Sequence, residues 1–309
     1  MGVTASLRAP ERADVERWAW AAVVANIVIV LTGGLVRLTG SGLGCPTWPR
    51  CTDSSFVPHR ALGVHGVIEF GNRMLTYVLI AVVIATFVAV WRWAGSTREL
   101  RRLAALIALG VPFQGVIGGI TVLTDLNPWV VSLHMILSML LVSASMLLVV
   151  RLRGHHQASW PAYAKPVVLA TYVVLWVVVY LGTMVTGAGP HAGDADAPRN
   201  GLDPHVMSHV HAVGVYVLVA LTVAAFVILK RTPAGRIAGI LLVLELAQGT
   251  IGFVQYLTDL PIALVATHLV GAAALIAGGT RLLVTVVASG SLAQGTAAAS
   301  PQAQPPRSR

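Results

Sequence analysis

Long apolar runs broken by short polar segments dominate the chain. Runs near 18–36, 66–91, 103–122, 129–150, 166–185, 206–229, 237–256 and 261–287 are almost continuous in Ala, Val, Ile, Leu, Phe, Met and Gly. A helix rising about 1.5 Å per residue needs about 20 residues to cross a hydrocarbon core of about 30 Å. The pattern therefore predicts an all-α integral membrane protein of eight transmembrane helices. Four regions follow: a cytoplasmic N-terminal segment at 1–17, a four-helix half at 18–151, a second four-helix half at 166–287, and a tail at 288–309. The tail is rich in Ala, Ser, Gln and Pro, a composition that predicts disorder. The first apolar run has no small-residue cleavage site, so no removable leader is expected.

The two halves repeat one another. Residues 114–134 read QGVIGGITVLTDLNPWVVSLH and residues 248–268 read QGTIGFVQYLTDLPIALVATH. Gln, Gly, Ile, Gly, Leu-Thr-Asp-Leu and the final His agree without a gap. Shared Leu and Val are common among apolar helices, but a shared Gln, Thr-Asp and His in register is not. Looser matches extend the repeat upstream: Gly34–Gly42 (GLVRLTGSG) resembles Gly182–Gly189 (GTMVTGAG), and Ile68–Arg73 (IEFGNR) lies on Met207–Ala212 (MSHVHA). Each half has four spans, so both have the same orientation, and the fold is expected to be two pseudosymmetric four-helix bundles about an axis along the membrane normal. Transporters also use such repeats, so duplication does not by itself name a function.

Composition agrees with this reading. Of 309 residues, 56% are hydrophobic and 11% charged, against about 25% charged in soluble domains. The net charge of +9 invites a nucleic-acid reading, but its distribution excludes one. With the N-terminus inside, only Arg37, Arg50, Arg60, Arg73 and Arg199 of the 21 basic residues fall outside. This is the positive-inside pattern, with both termini cytoplasmic in the cell membrane.

Ionisable groups within membrane spans are costly and therefore candidates for function. His134 and His268 occupy the same depth in helices 4 and 8. His211 lies near the start of helix 6, where the repeat places Asn72 in helix 2. Two imidazoles facing each other across a four-helix bundle frame a bis-histidine heme, and His211 with His268 supply that pair in the second half. His209 competes with His211 for the role, and the alignment favours His211. His205 lies one turn before His209. His155, His156 and His191 fall in loops and are expected to be solvated. Zinc is disfavoured because no local cluster offers four ligands.

Glu69 shares a helix face with Asn72, where a carboxylate can move protons or stabilise developing positive charge. Its bland alternative is a helix-start acid paired with Arg73. Glu245, three residues before Gln248, suits a proton path or a packing hydrogen bond equally, and Val111 is its first-half counterpart. Cys45 and Cys51 are the only cysteines, and both lie in the first outer loop. An oxidising compartment favours a disulfide between them, either a structural staple or, if strained and exposed, a reducible bond. The second half lacks the pair.

These residues resemble the heme A synthase family over roughly 18–287. The most specific part is Gly34–Cys51 (GLVRLTGSGLGCPTWPRC), similar to the family's outer loop with its cysteine pair. Ile68–Arg73 is similar to its Glu-x-x-His-Arg motif, and the Gln-Gly-x-x-Gly helices lead to His134 and His268. The resemblance implies oxidation of the C8 methyl group of heme O to a formyl group by successive hydroxylations and loss of water. It implies a resident heme b on His211 and His268, substrate heme O on His134, Glu69 as catalytic carboxylate, and Cys45 and Cys51 as a redox-active pair. Heme O synthase and cytochrome oxidase assembly are the implied partners. Arg37 and Arg73, at the outer edge, suit heme propionates. One departure stands out: Asn72 occupies the position of the family's second N-terminal histidine. The substrate iron is then five-coordinate on His134, or His65 substitutes from a turn above.

Two other readings compete. A diheme b-type electron-transfer protein requires two complete ligand pairs spread across the membrane depth, whereas the candidate ligands here all lie toward one side. A transporter predicts broken helices at the midplane, whereas the distinctive residues cluster at helix ends.

Overall fold

The structure, a computed structural model, describes residues 9–154 and 160–288. The proposed tail from 289, residues 1–8 of the N-terminal segment, and His155 and His156 lie outside the described residues. Among those described, eight helices are long and apolar enough to cross a membrane. They are α1 (Arg12–Leu38), α2 (Gly63–Arg92), α3 (Arg98–Leu123), α4 (Pro128–Arg153), α5 (Ala164–Ala188), α6 (Pro204–Leu229), α7 (Pro233–Leu257) and α8 (Ile262–Ala288). Most extend a few residues beyond the apolar runs, because polar and charged residues continue the helix once it leaves the hydrocarbon.

Local chemistry sets several of the helix starts. Asn127, Asp203 and Thr232 cap α4, α6 and α7, and each is followed by proline at the first helical position. Proline there loses no hydrogen bond and arrives with its φ already helical. The Asp203 side chain accepts the Val206 N–H at 2.9 Å, and that bond holds its carboxyl below the usual carboxylate range.

The shared Leu-Thr-Asp-Leu segments prove to be one device used twice. Asp125 and Leu126 have φ of 51° and 58°, and Asp259 and Leu260 have 56° and 57°. Two successive left-handed residues reverse the chain sharply. The N–H of Leu126 reaches back to Thr121 O at 2.8 Å, and that of Leu260 to Gln255 O at 2.9 Å. Each turn therefore delivers its histidine at the same depth: His134 is six residues beyond the start of α4, and His268 six beyond the start of α8.

Packing divides the helices into two four-helix bundles. In the first, α1 meets α2 and α4, and α3 meets α2 and α4; in the second, α5 meets α6 and α8, and α7 meets α6 and α8. Between bundles, α4 meets α8, α1 meets α8, and α4 meets α5. Exchanging the halves turns the α1–α8 contact into α5–α4 and returns α4–α8 to itself, so the histidine-bearing helices α4 and α8 lie on the pseudo-twofold axis. Ser143 Oγ of α4 lies 2.9 Å from both the Tyr172 hydroxyl of α5 and Thr280 Oγ1 of α8, which joins the bundles through hydroxyls. Side chains such as Leu109 and Val243 point outward, as in a bundle solvated by lipid.

Candidate functional site

In the second bundle the His211 and His268 rings face one another. Their centroids are 6.5 Å apart and their planes cross at 70°. Each ring rests on a glycine: a Cβ at Gly182 would lie 3.3 Å from His211 Cε1, and one at Gly252 3.5 Å from His268 Cε1. The Nδ1 atoms of both are buried without a hydrogen-bond partner among the described residues. A neutral imidazole keeps one nitrogen lone pair free to ligate a metal, and two such rings face one another here. Two metal–nitrogen bonds of about 2 Å, plus about 1 Å from each nitrogen to its ring centre, place such centroids roughly 6 Å apart. The observed separation suits one iron held between the two rings. No group of three or more His, Cys, Asp or Glu able to hold an ion occurs among the described residues.

The first bundle repeats half of this arrangement. His134 rests on Gly118, where a Cβ would lie 3.3 Å from its Cε1, and its Nδ1 is likewise buried and unpartnered. Gln114 of α3 donates to the His134 carbonyl at 2.9 Å and to Ser138 Oγ at 2.6 Å, which ties α3 to the turn that presents the ring. By the repeat, Asn72 stands where the second bundle has His211. Its amide lies over Gly33 of α1, as His211 lies over Gly182 of α5, and its Oδ1 accepts the Thr32 hydroxyl at 2.8 Å. His65, the other candidate, is exposed and lies 2.9 Å from Ser41 Oγ through Nδ1.

Glu69 connects α2 to the cysteine loop. It is 5% exposed, and one carboxylate oxygen accepts the Cys45 backbone N–H at 2.5 Å. The other pairs with the Arg73 guanidinium at 2.5 Å. Arg73 also donates to the carbonyls of Cys45, Thr47 and Arg50. Helix α2 thus holds the loop by a chain of charge-assisted hydrogen bonds, each shorter and stronger than a neutral one. Glycine makes the approach possible, since a Cβ at Gly44 would overlap the His65 carbonyl, and one at Gly119 would overlap the Trp48 ring. The loop therefore inserts Trp48 against α3 at Gly119, one residue from Gly118, on which His134 rests.

Cys45 and Cys51 form a disulfide, and both are fully buried. The bond is covered, with Glu69 accepting the Cys45 N–H and Arg73 donating to the Cys45, Thr47 and Arg50 carbonyls around it.

The two arginines expected to meet propionates are engaged elsewhere. Arg73 is committed to the cysteine loop. Arg37 donates to the His191 carbonyl at 2.6 Å and the Thr186 carbonyl at 3.0 Å, both in or beside the second long loop. The Gly42 N–H bonds to the Gly193 carbonyl at 2.7 Å, so the two loops form one cap over this end of the molecule. His191, expected to be solvated, is half-buried in that cap with Nε2 2.9 Å from the Leu260 carbonyl. His205 and His209 are exposed and gather around Tyr256. Glu245 is 3% exposed, and one of its oxygens accepts the Thr222 hydroxyl at 2.8 Å.

Sequence reasoning missed the roles of Trp48 and of the three glycines under the imidazoles. Gly118 and Gly252 were visible in the repeat, and their position one turn along from the shared glutamine was the available signal. Trp48 carried none, because a loop has no periodicity to read.

The chain matches a family model described as cytochrome oxidase assembly protein over residues 16–279. It is 26% identical over 208 residues to "Heme A synthase" of Staphylococcus epidermidis, covering 62% of this chain and 68% of that protein. Over 134 residues it is 34% identical to "Heme A synthase" of Lysinibacillus sphaericus, covering 43% of each. Over 168 residues it is 27% identical to the protein of that name from Halalkalibacterium halodurans, covering 52% of this chain and 56% of that one. With paired helices, cysteine loop and placed histidines all inside the matched span, the chain belongs to the COX15-CtaA family of cytochrome oxidase assembly proteins.

Proposed function

We infer that the chain is a heme A synthase, which oxidises the C8 methyl group of heme O to a formyl group by successive hydroxylations, giving heme A for cytochrome oxidase. One observation carries the reading. Imidazoles rest on matched glycines in both bundles, yet only the first bundle adds a carboxylate bound to a disulfide loop. Such asymmetry suits one bundle that holds a permanent cofactor and one that performs chemistry.

In this reading the second bundle holds a heme b between His211 and His268, and the first receives heme O on His134. The heme b iron, when bound, supplies one-electron redox capacity. Asn72 offers an amide where the second bundle offers an imidazole, and amides are poor iron ligands. With His134 as its one strong protein ligand, a bound substrate heme would exchange more readily than one held by two imidazoles. Glu69 sits at the rim of the first bundle and stabilises positive charge developing on the substrate. Arg73 holds that carboxylate in place, and the Cys45 N–H makes its position depend on the disulfide. Opening the disulfide would free the loop and release Glu69, so the cysteine pair acts as a redox-sensitive support for the carboxylate. Arg37 and Arg73 support the substrate site by fixing the loops, and their place at the outer edge suits heme propionates.

The charge distribution along the sequence supports a cytoplasmic-membrane location with both termini inside and the long loops outside. Heme O synthase supplies the substrate, and cytochrome oxidase assembly consumes the product. A diheme electron carrier is less favoured, since His134, His211 and His268 all lie within about two turns of the helix ends beside the loop cap.

The test is expression of the chain alongside a heme O synthase, with chromatography of the extracted hemes. Heme A or its hydroxylated precursor should accumulate, and should vanish in Glu69→Ala. Heme b retained in the purified protein with no conversion of heme O, despite added reductant and oxygen, would overturn the enzyme reading.

A further inference from the structure

The second bundle carries a buried acid that the first does not need. Glu245 lies on the α7 face that also presents Gln248 and Gly252, at i, i+3 and i+7. Gly252 packs against His268, and Gln248 packs its amide against Gly271, one turn beyond His268 on α8. Glu245 is thus about 10 Å along the helix from the histidine pair, at about 1.5 Å per residue. One of its oxygens accepts the Thr222 hydroxyl, and Oε2 is buried with no hydrogen-bond partner among the described residues. The Gln248 Oε1 is orphaned in the same way.

The internal repeat provides a natural control. The alignment that pairs Asn72 with His211 sets Val83 opposite Thr222, and the constant register of α3 and α7 sets Val111 opposite Glu245. Val83 and Val111 are buried as completely as the polar pair they match. Two valines therefore fill this layer of a bundle, and packing does not require a carboxyl. A carboxyl at this depth is costly, and it occurs in the bundle with two facing imidazoles. Ferric heme carries one positive charge more than ferrous heme, and an ionised Glu245 would offset that charge across a medium of low polarity.

We propose that Glu245 is a proton-exchanging site coupled to the redox state of the heme held by His211 and His268. It rests on the heme-binding reading above. Glu245 releases one proton to water when the iron gives one electron to an acceptor of the ferricyanide class, and takes it back when a dithionite-class reductant returns the electron. Few other groups compete nearby. Among the described residues α7 packs on α6 and α8 alone; α6 contributes Thr222, and residues 272–277 of α8, just past His268, are all apolar. The remaining titratable groups on these helices are His211 and His268 themselves, exposed His205, His209, Tyr216 and Tyr256 toward the loop-cap half, and Arg236 and Arg281 at the opposite end.

The experiment is a redox titration of the purified full-length protein with its heme, using mediators, from acid to alkaline pH. The midpoint potential should fall as pH rises, by about tenfold in the ferric–ferrous equilibrium constant between limits, which is about 59 mV for one electron. Glu245→Gln, which keeps the shape and the Thr222 bond, should flatten that dependence. Glu245→Val, together with Thr222→Val, copies the layer of the first bundle and should flatten it equally while the heme spectrum is retained. Reduced-minus-oxidised infrared spectra should show a carboxylic C=O band that Glu245→Gln removes. A pH-independent potential in the native protein, or an unchanged dependence in Glu245→Gln, would overturn the proposal while leaving the heme reading intact. Failure of the native protein to hold heme would overturn both.

Discussion

The Glu69 carboxylate accepts the backbone N–H of Cys45 at 2.5 Å while its other oxygen grips Arg73. A residue of helix α2 and a residue of the loop before it are thereby locked together across 24 positions of sequence. The disulfide, the carboxylate and the arginine form one mechanical unit, and disturbing any member is felt by the others.

Replacing Glu69 by Ala should reduce heme O conversion by roughly 10²–10⁴-fold, the range for a lost proton-handling or charge-stabilising group. It also leaves the Cys45 N–H and Arg73 without their acceptor. Limited proteolysis should then cut within residues 42–52 faster than in the native protein. Full activity with unchanged cleavage would show that the bond is incidental.

Cysteine replacement separates the two bundles. Cys45→Ser with Cys51→Ser should lower conversion while leaving the His211–His268 heme spectrum unchanged. In the native protein neither cysteine should be alkylated, because both sulfurs are held in the disulfide, and burial should slow a reductant in the folded chain. Rapid labelling of folded protein by a maleimide would count against the buried disulfide.

The glycines beneath the imidazoles should be intolerant of bulk. A Cβ at Gly252 already sits 3.5 Å from His268 Cε1, so the two further carbons of Gly252→Val must push the ring aside. Heme retention should weaken by roughly 10–100-fold, as for other groups that orient a metal ligand. Gly118→Val should instead impair substrate conversion and spare the resident heme. Equal effects of the two on the resident heme would argue against separate roles for the bundles.

Asn72→His would restore a facing imidazole in the first bundle. The expected result is a second six-coordinate, low-spin heme signal in protein loaded with heme O, with slower release of heme A. A spectrum identical to that of the native protein would mean that position 72 does not face the iron.

Arg37→Ala removes hydrogen bonds to the His191 carbonyl of the second loop and to the Thr186 carbonyl in the last turn of α5. Charged hydrogen bonds contribute roughly 1.5–3 kcal/mol each when buried, and half-burial here reduces that to about 2 kcal/mol in total. The loop 189–203 should become protease-sensitive, and thermal unfolding should begin at a lower temperature. Arg37→Lys should recover only part, since one ammonium cannot replace the guanidinium fork.

The number of helices, their approximate limits, the duplication and the depth of His134 and His268 were determined by the sequence alone. All follow from local quantities: a bilayer of fixed thickness demands runs of fixed length, and a shared turn of five or six residues delivers each histidine at one depth. The choice of His211 over His209 as the ring facing His268 was suggested by alignment, but the tertiary structure decided which imidazole meets its partner, because two residues apart on a helix point in very different directions. The engagement of Arg37 by the second loop, the closure of the cysteine loop over its disulfide, and the wedge of Trp48 against Gly119 were decided only in three dimensions. The third needs only the bare face of a glycine. The first two join residues from tens to more than 150 positions apart through backbone carbonyls and N–H groups. Every residue carries those groups, so no choice of side chain announces where they will be used.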